Sequence, residues 1–167
     1  MADDLRDLAL RLGRALADRG LTLATAESCT GGLVACRVTD IPGSSAWFLG
    51  GVVSYSNAAK CHILGVPQAV LDTAGAVSRE TVLAMAKGAR GIFGTDLAVA
   101  ISGVAGPDGG SPEKPVGTVW LAWEGPFGAR AALFHFDGGR LEVKEAAART
   151  ALETMLTLVR DLGPDPS

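Results

Sequence analysis

The chain has little of what nucleic-acid binding needs. It carries no basic run, its net charge is −3, and its aromatics stop at three tryptophans, one tyrosine and five phenylalanines. A broad electropositive face interleaved with stacking rings is therefore excluded. No apolar stretch is long enough to span a bilayer. Met1–Asp7 is acidic and no apolar segment follows it, so no secretory signal is expected. Cysteines are few and odd in number (Cys29, Cys36, Cys61), without metal-type spacing, and are read as reduced thiols in a cytoplasm. The two histidines, His62 and His135, have no neighbouring carboxylates. They make a poor metal site and are read as packed or surface residues.

Small residues, by contrast, are plentiful. Twenty-two glycines fall at the junctions between periodic segments, where tight turns and close backbone approaches occur. With 167 residues, 48% of them hydrophobic and 20% charged, the chain predicts one domain over residues 1–167 with a proper core. Its tail, 164–167, is expected to fray.

Periodicity predicts a first helix capped by Asp3 or Asp4, striped by Leu5, Leu8, Ala9, Leu12 and Leu16 and stopped at Gly20. A buried strand follows at Leu21–Ala26, then a short helix at Thr30–Val38 and a turn at Pro42–Ser45. Phe48–Tyr55 reads as a glycine-interrupted strand, and Asn57 as the cap of a helix carrying Lys60, Ile63 and Leu64. Ser78 is expected to cap a helix striped by Val82, Met85, Ala86, Ala89, Ile92 and Phe93. Leu97–Val104 is another buried strand; Thr118–Trp123 and Ala131–Phe136 suit a hairpin, and a last helix runs from about Arg140 to Leu162. No repeat, low-complexity tract or linker interrupts the series. Helices interleaved with apolar strands and closed by an antiparallel end predict a three-layer α/β/α domain with a mixed sheet. Ligands in such sheets sit beyond the carboxyl ends of the strands, where the loops after Ala26, Tyr55 and Val104 are expected to meet.

Three stretches carry chemistry. In "ESCTGG", Glu27–Gly32, a helix starting near Thr30 would aim unpaired N–H groups at the preceding turn, with Gly31 and Gly32 admitting a close approach. That is an anion cradle, an oxyanion hole beside a nucleophile, or only a helix capped by Ser28 or Thr30 behind a tight turn. Cys29, its pKa lowered by the helix N-terminus, rivals Ser28 as nucleophile. In "SYSNAAK", Ser54–Lys60, a lysine in a first helical turn and near a substrate would lose its proton readily. A neutral amine can activate a serine, although a solvated surface lysine is the ordinary alternative. In Ile101–Gly117, Ser102 leads into a loop stiffened by Pro107, Pro112 and Pro115, which is either a preorganised ligand wall or a long connection.

Together "TAESCTGG" (Thr25–Gly32), "DIPGSSAWFLGGVVSYSNAAK" (Asp40–Lys60), "GAVS" (Gly75–Ser78) and "SGVAGPDGGSPEKPVGTVW" (Ser102–Trp120) resemble the CinA C-terminal domain family, the stand-alone nicotinamide mononucleotide amidases. The resemblance implies hydrolysis of the carboxamide of nicotinamide mononucleotide to nicotinate mononucleotide and ammonia in pyridine-nucleotide recycling, without metal or cofactor. It implies Ser28 as nucleophile, Lys60 as its base and Tyr55 near the reacting centre. Cys29, Thr30, Gly31, Gly32, Asn57, Ser102, Gly103, Gly106 and Arg140 are expected to contact the substrate, Arg140 through its phosphate. Gly139 and Lys144 stand where the family often has an aspartate and a second arginine. A homodimer is implied. The extra N-terminal domain of larger relatives, associated with ADP-ribose pyrophosphatase activity, has no counterpart before Met1, so that activity is expected to be absent. The alternatives are an interaction module of competence or damage response that has lost turnover, and an amidase for another small amide or lactam.

Overall fold

The computed structural model describes residues 2–164. Helix α1 (Ala2–Arg19) buries Leu5, Leu8, Ala9, Leu12 and Leu16, as its periodicity predicts. It ends at Gly20, whose φ of 64° lets the Gly20 N–H reach the Ala17 carbonyl and the Leu21 N–H the Leu16 carbonyl. Asp3 and Asp4 lie inside the helix rather than capping it; the Asp3 side chain falls outside the described residues, and Asp4 pairs with Arg149. Because Leu21 closes the helix and Thr22 binds the Asp96 carboxylate, strand β1 starts two residues later than expected and spans Leu23–Glu27.

Helix α2 (Leu33–Thr39), a 3₁₀ turn at Ser44–Ala46 and strand β2 (Phe48–Val53) follow. Helices α3 (Asn57–His62), α4 (Gln68–Thr73) and α5 (Arg79–Phe93) then lead to strand β3 (Leu97–Gly103). The hairpin of β4 (Thr118–Gly125) and β5 (Gly128–His135) and the long α6 (Arg140–Arg160) complete the chain. Ser78 caps α5 as predicted, its Oγ accepting from the Thr81 N–H. Helix α4 has no expectation behind it, and α6 stops two residues short of Leu162. Of the tail expected to fray, 165–167 lie outside the described residues.

The sheet is mixed, in the order β2-β1-β3-β4-β5, with β1 parallel to both neighbours and β3, β4 and β5 antiparallel in succession. Its two faces differ in side-chain size. Leu23, Leu97, Val99, Ile101, Val119, Leu121 and Trp123 pack against α1, α2 and α6. Ala24, Ala26, Ala98, Ala100 and Ala122 cover the other face and admit Val82, Met85, Ala86 and Ala89 of α5. Each fully buried leucine on the first face contributes about 1.5–3 kcal/mol relative to exposure. The result is the three-layer α/β/α arrangement that the alternation of strands and helices predicts.

The topology positions the site. From β1 the chain runs through α2 to β2 on one side, then crosses back through α3–α5 to β3 on the other. The order therefore reverses at the carboxyl end of β1, where open α/β sheets present a crevice. Backbone bonds extend the ladder there: Ser28 N–H donates to the Ile101 carbonyl at 3.0 Å, and Ser54 N–H to the Glu27 carbonyl at 2.8 Å.

Candidate active site

A pocket of about 260 Å³ opens at this crevice. Ser28, Cys29, Tyr55, Asn57, Lys60, Ser102, Gly103, Gly106 and Arg140, all expected from the sequence, line it; Ala76, Val104, Ala105, Asp108 and Gly109 complete the wall. Thr30, Gly31 and Gly32 are not in that lining.

The reason lies in Glu27, to which the sequence reading assigns no role. This last residue of β1 is 1% exposed. Its carboxylate accepts from the Thr30 hydroxyl at 2.6 Å and from the N–H groups of Gly32, Val34 and Ala35 at 3.2, 3.1 and 2.8 Å. The open N–H groups of α2 are thus taken by an internal carboxylate rather than offered to a ligand. Helix α2 begins at Leu33, not Thr30, behind Gly32 at φ 100°, and neither Ser28 nor Thr30 caps it. Gly31 and Gly32 adopt positive φ of 63° and 100°, which glycine alone takes without strain; the nearest atom to a Cβ at Gly31 would be the Lys144 Nζ, at 3.7 Å. A glutamate ending an apolar strand ahead of a helix is the sequence signal for this arrangement, since a buried carboxylate must find donors. Glu27→Ala strands these donors and is expected to cost about 3 kcal/mol, a fall in Tm of about 6–12 °C for a chain of this size. Thermal unfolding checks this, and a shift within about 2 °C would show that the turn holds without the carboxylate.

The loop after β2 delivers Lys60. Ser56, not Asn57, caps α3, its Oγ accepting from the Ala59 N–H at 3.0 Å. This leaves Asn57 exposed as the first helical residue, on the pocket wall. Lys60 is 1% exposed. Its Nζ lies 2.8 Å from the Ser54 carbonyl, 3.3 Å from the Tyr55 carbonyl and 3.0 Å from the Ser28 Oγ. Burial pulls its pKa below the usual lysine value, opposed by the neighbouring Cys29. A neutral amine suits this geometry: its two hydrogens go to the two carbonyls, and its lone pair faces the Ser28 hydroxyl.

Cys29 behaves contrary to expectation. Burial pushes its thiol up to about 11, outweighing the hydrogen bond from its own backbone, so the helix N-terminus does not make it a thiolate. Ser102 sits in the wall with its hydroxyl donating to the Ala76 carbonyl at 2.8 Å, tying the Gly75–Ser78 segment to the site. Lys114 adds a second tie, its Nζ donating to the Ala74 carbonyl at 2.9 Å. At the pocket mouth the Arg140 guanidinium donates to the Gly106 carbonyl at 2.7 Å and to the Tyr55 hydroxyl at 2.9 Å. Among the described residues no carboxylate forms an ion pair with Arg140, and no group of three or more metal-ligating side chains exists. No described helix is long and apolar enough to cross a membrane.

Comparison with known proteins converges on one family. The CinA C-terminal domain model matches residues 5–159. The nicotinamide-nucleotide amidohydrolase PncC of Pseudomonas putida is 51% identical over 156 residues, covering 93% of this chain and 98% of its own. A CinA-like protein of Geotalea uraniireducens is 55% identical over 136 residues, 81% of this chain but 32% of its own. The chain therefore spans only a minor part of the CinA-like relatives, 32–37% of their length. The crystal structure of the competence/damage inducible protein CihA from Agrobacterium tumefaciens superposes with a TM-score of 0.90 at 47% identity, covering 95% of this chain and 96% of that one.

Proposed function

This chain belongs to the CinA C-terminal domain family, and from that premise we propose that it hydrolyses the carboxamide of nicotinamide mononucleotide, with Ser28 as nucleophile and Lys60 as its base. The observation that carries the mechanism is the buried Lys60 Nζ held by two carbonyls, 3.0 Å from the Ser28 Oγ. Ser28 attacks the amide carbon while Lys60 takes its proton, and the ammonium so formed returns that proton to the departing nitrogen, releasing ammonia. Water, deprotonated by the same amine, then attacks the acyl ester on Ser28, and the ammonium returns that proton to the departing Ser28 oxygen. The nicotinate product and the free serine complete the balance.

In the turn after Ser28 the Gly31 N–H is bonded to the Ser28 carbonyl and the Gly32 N–H to Glu27; of the Cys29–Gly32 N–H groups those of Cys29 and Thr30 remain as oxyanion donors, and of these two residues Cys29 lines the pocket. Ammonia release from the mononucleotide, with nicotinamide and nicotinamide riboside as controls, tests the activity. No release from any of the three by folded protein would favour the interaction module instead.

Arg140 is the phosphate anchor in this reading. Among the described residues its charge has no carboxylate partner, and it stands at the mouth, whereas the N-terminus of α2 is occupied and Lys144 lies outside the pocket wall. A charge-assisted contact is worth about 1.5–3 kcal/mol, so Arg140→Ala is expected to lower kcat/KM for the mononucleotide roughly ten- to a hundredfold, with a much smaller penalty for the riboside. Equal losses on both substrates would assign Arg140 to the fold or the carboxamide end. The protein is taken to work as one amidase domain in the cytoplasm and as a homodimer, for which edge strand β2 offers Leu49 and Val53, 46% and 52% exposed; sedimentation of the purified chain checks the stoichiometry.

A further inference from the structure

Tyr55 is expected from the family resemblance to act near the reacting centre; it lines the same pocket as Ser28 and Lys60, and its hydroxyl is bonded to Arg140. The residue is 59% exposed. Its contribution to the reacting end is made by the backbone: the Tyr55 carbonyl accepts from the Lys60 Nζ at 3.3 Å. The hydroxyl instead accepts from one terminal nitrogen of Arg140 at 2.9 Å, while the other donates to the Gly106 carbonyl at 2.7 Å. Neither Ser28 nor Lys60 makes a hydrogen bond to that hydroxyl.

We propose that the Tyr55 hydroxyl is a positioning residue for Arg140: it fixes the guanidinium at the pocket mouth and so sets the preference for a phosphorylated ligand. This rests on the reading of Arg140 as the phosphate anchor. The physical argument is preorganisation. An arginine on α6 reaches the mouth on a long, flexible stem, and a free guanidinium loses much rotamer freedom when it grips an anion. Here one hydrogen bond on each terminal nitrogen removes that freedom beforehand. Both acceptors, a phenol and a backbone carbonyl, are neutral, so the positive charge is oriented without being cancelled. A guanidinium carries five donors in a rigid plane, and the two in use leave others for a phosphate fork. The loops after β2 and β3 are thereby joined across the mouth by an arginine from α6, which explains why an aromatic residue stands so exposed beside a polar pocket.

The test compares wild type with Tyr55→Phe, which removes one exposed oxygen and leaves the ring. The ratio of kcat/KM for the mononucleotide to that for the riboside is expected to fall roughly three- to tenfold, carried by KM for the mononucleotide, with kcat within about twofold. Affinity for ribose 5-phosphate, measured by calorimetry without any hydrolysis, is expected to weaken by a similar factor. A kcat loss of equal size on both substrates would place the hydroxyl at the reacting carbonyl and overturn the proposal. Unchanged selectivity together with unchanged ribose 5-phosphate affinity would overturn it as well. Should the wild type bind ribose 5-phosphate, Tyr55→Phe weaken that binding and neither release ammonia, the positioning role stands and the amidase reading falls.

Discussion

Ser28→Ala is expected to lower kcat for ammonia release by three to six orders of magnitude, about the range seen when a nucleophile acting as part of a unit is deleted. The fold should survive. Ser28 sits in the turn after β1 with its backbone N–H in the sheet ladder, and among the described residues its Oγ is bonded to Lys60 alone. The substitution therefore removes one hydroxyl and one hydrogen bond, about 1 kcal/mol. Cys29→Ser is the necessary comparison, because the two side chains are adjacent and both line the pocket. The Cys29 thiol, pushed up to about 11 by burial, is almost wholly protonated near neutral pH and is a poor nucleophile there. It also packs among apolar residues, so a hydroxyl in its place should affect stability more than turnover. Single-turnover kinetics on the two variants decide the matter. An inactive Cys29→Ser beside an active Ser28→Ala would make this a thiol amidase.

Much of this site was legible in the chain, and the parts that were not have separate physical reasons. Strand identity, the Ser78 cap, the Gly20 stop and the meeting of three loops follow from local pattern, and the structure realises them with shifts of up to three residues, the largest at the start of β5, Gly128 rather than Ala131. The start of α2 fails because its donors are satisfied from outside the helix, by the carboxylate of Glu27. Sequence capping rules look for a serine or threonine at the junction and find Ser28 and Thr30, both engaged elsewhere. The same carboxylate holds Thr30 and Gly32, and neither they nor Gly31 line the pocket. Asn57 and Ser56 are both good caps one residue apart, and only backbone geometry chooses between them. Helix α4 is too short, at six residues, to display a periodic stripe. Tyr55 and Arg140 are separated by 85 positions, so their hydrogen bond is a property of the topology alone.

Lys60 gives the second large effect. Lys60→Arg is expected to be nearly as inactive as Lys60→Ala, a loss of at least about a hundredfold in kcat, because the role requires a lone pair. A guanidinium stays protonated throughout the working range. It is also too wide for a site where Lys60 is 1% exposed and bounded by the carbonyls of Ser54 and Tyr55. The pH dependence follows from the direction of the lysine's shift. Burial lowers its folded pKa below the unfolded value of 10.5, so the amine deprotonates at a lower pH in the folded protein. Activity therefore rises with pH as one proton is lost through that lowered pKa, and falls below it, where the ammonium has no lone pair for the Ser28 proton. Linkage runs the same way. Between the lowered pKa and 10.5 the unfolded chain binds more protons than the native one, so the contribution of Lys60 to stability increases as pH rises through that window. Lys60→Met should abolish both dependences, since methionine does not titrate. A Lys60→Arg enzyme that kept most of the wild-type kcat would show that the side chain merely holds positive charge beside Ser28. A pH–rate profile without a rising limb would place the base on another group.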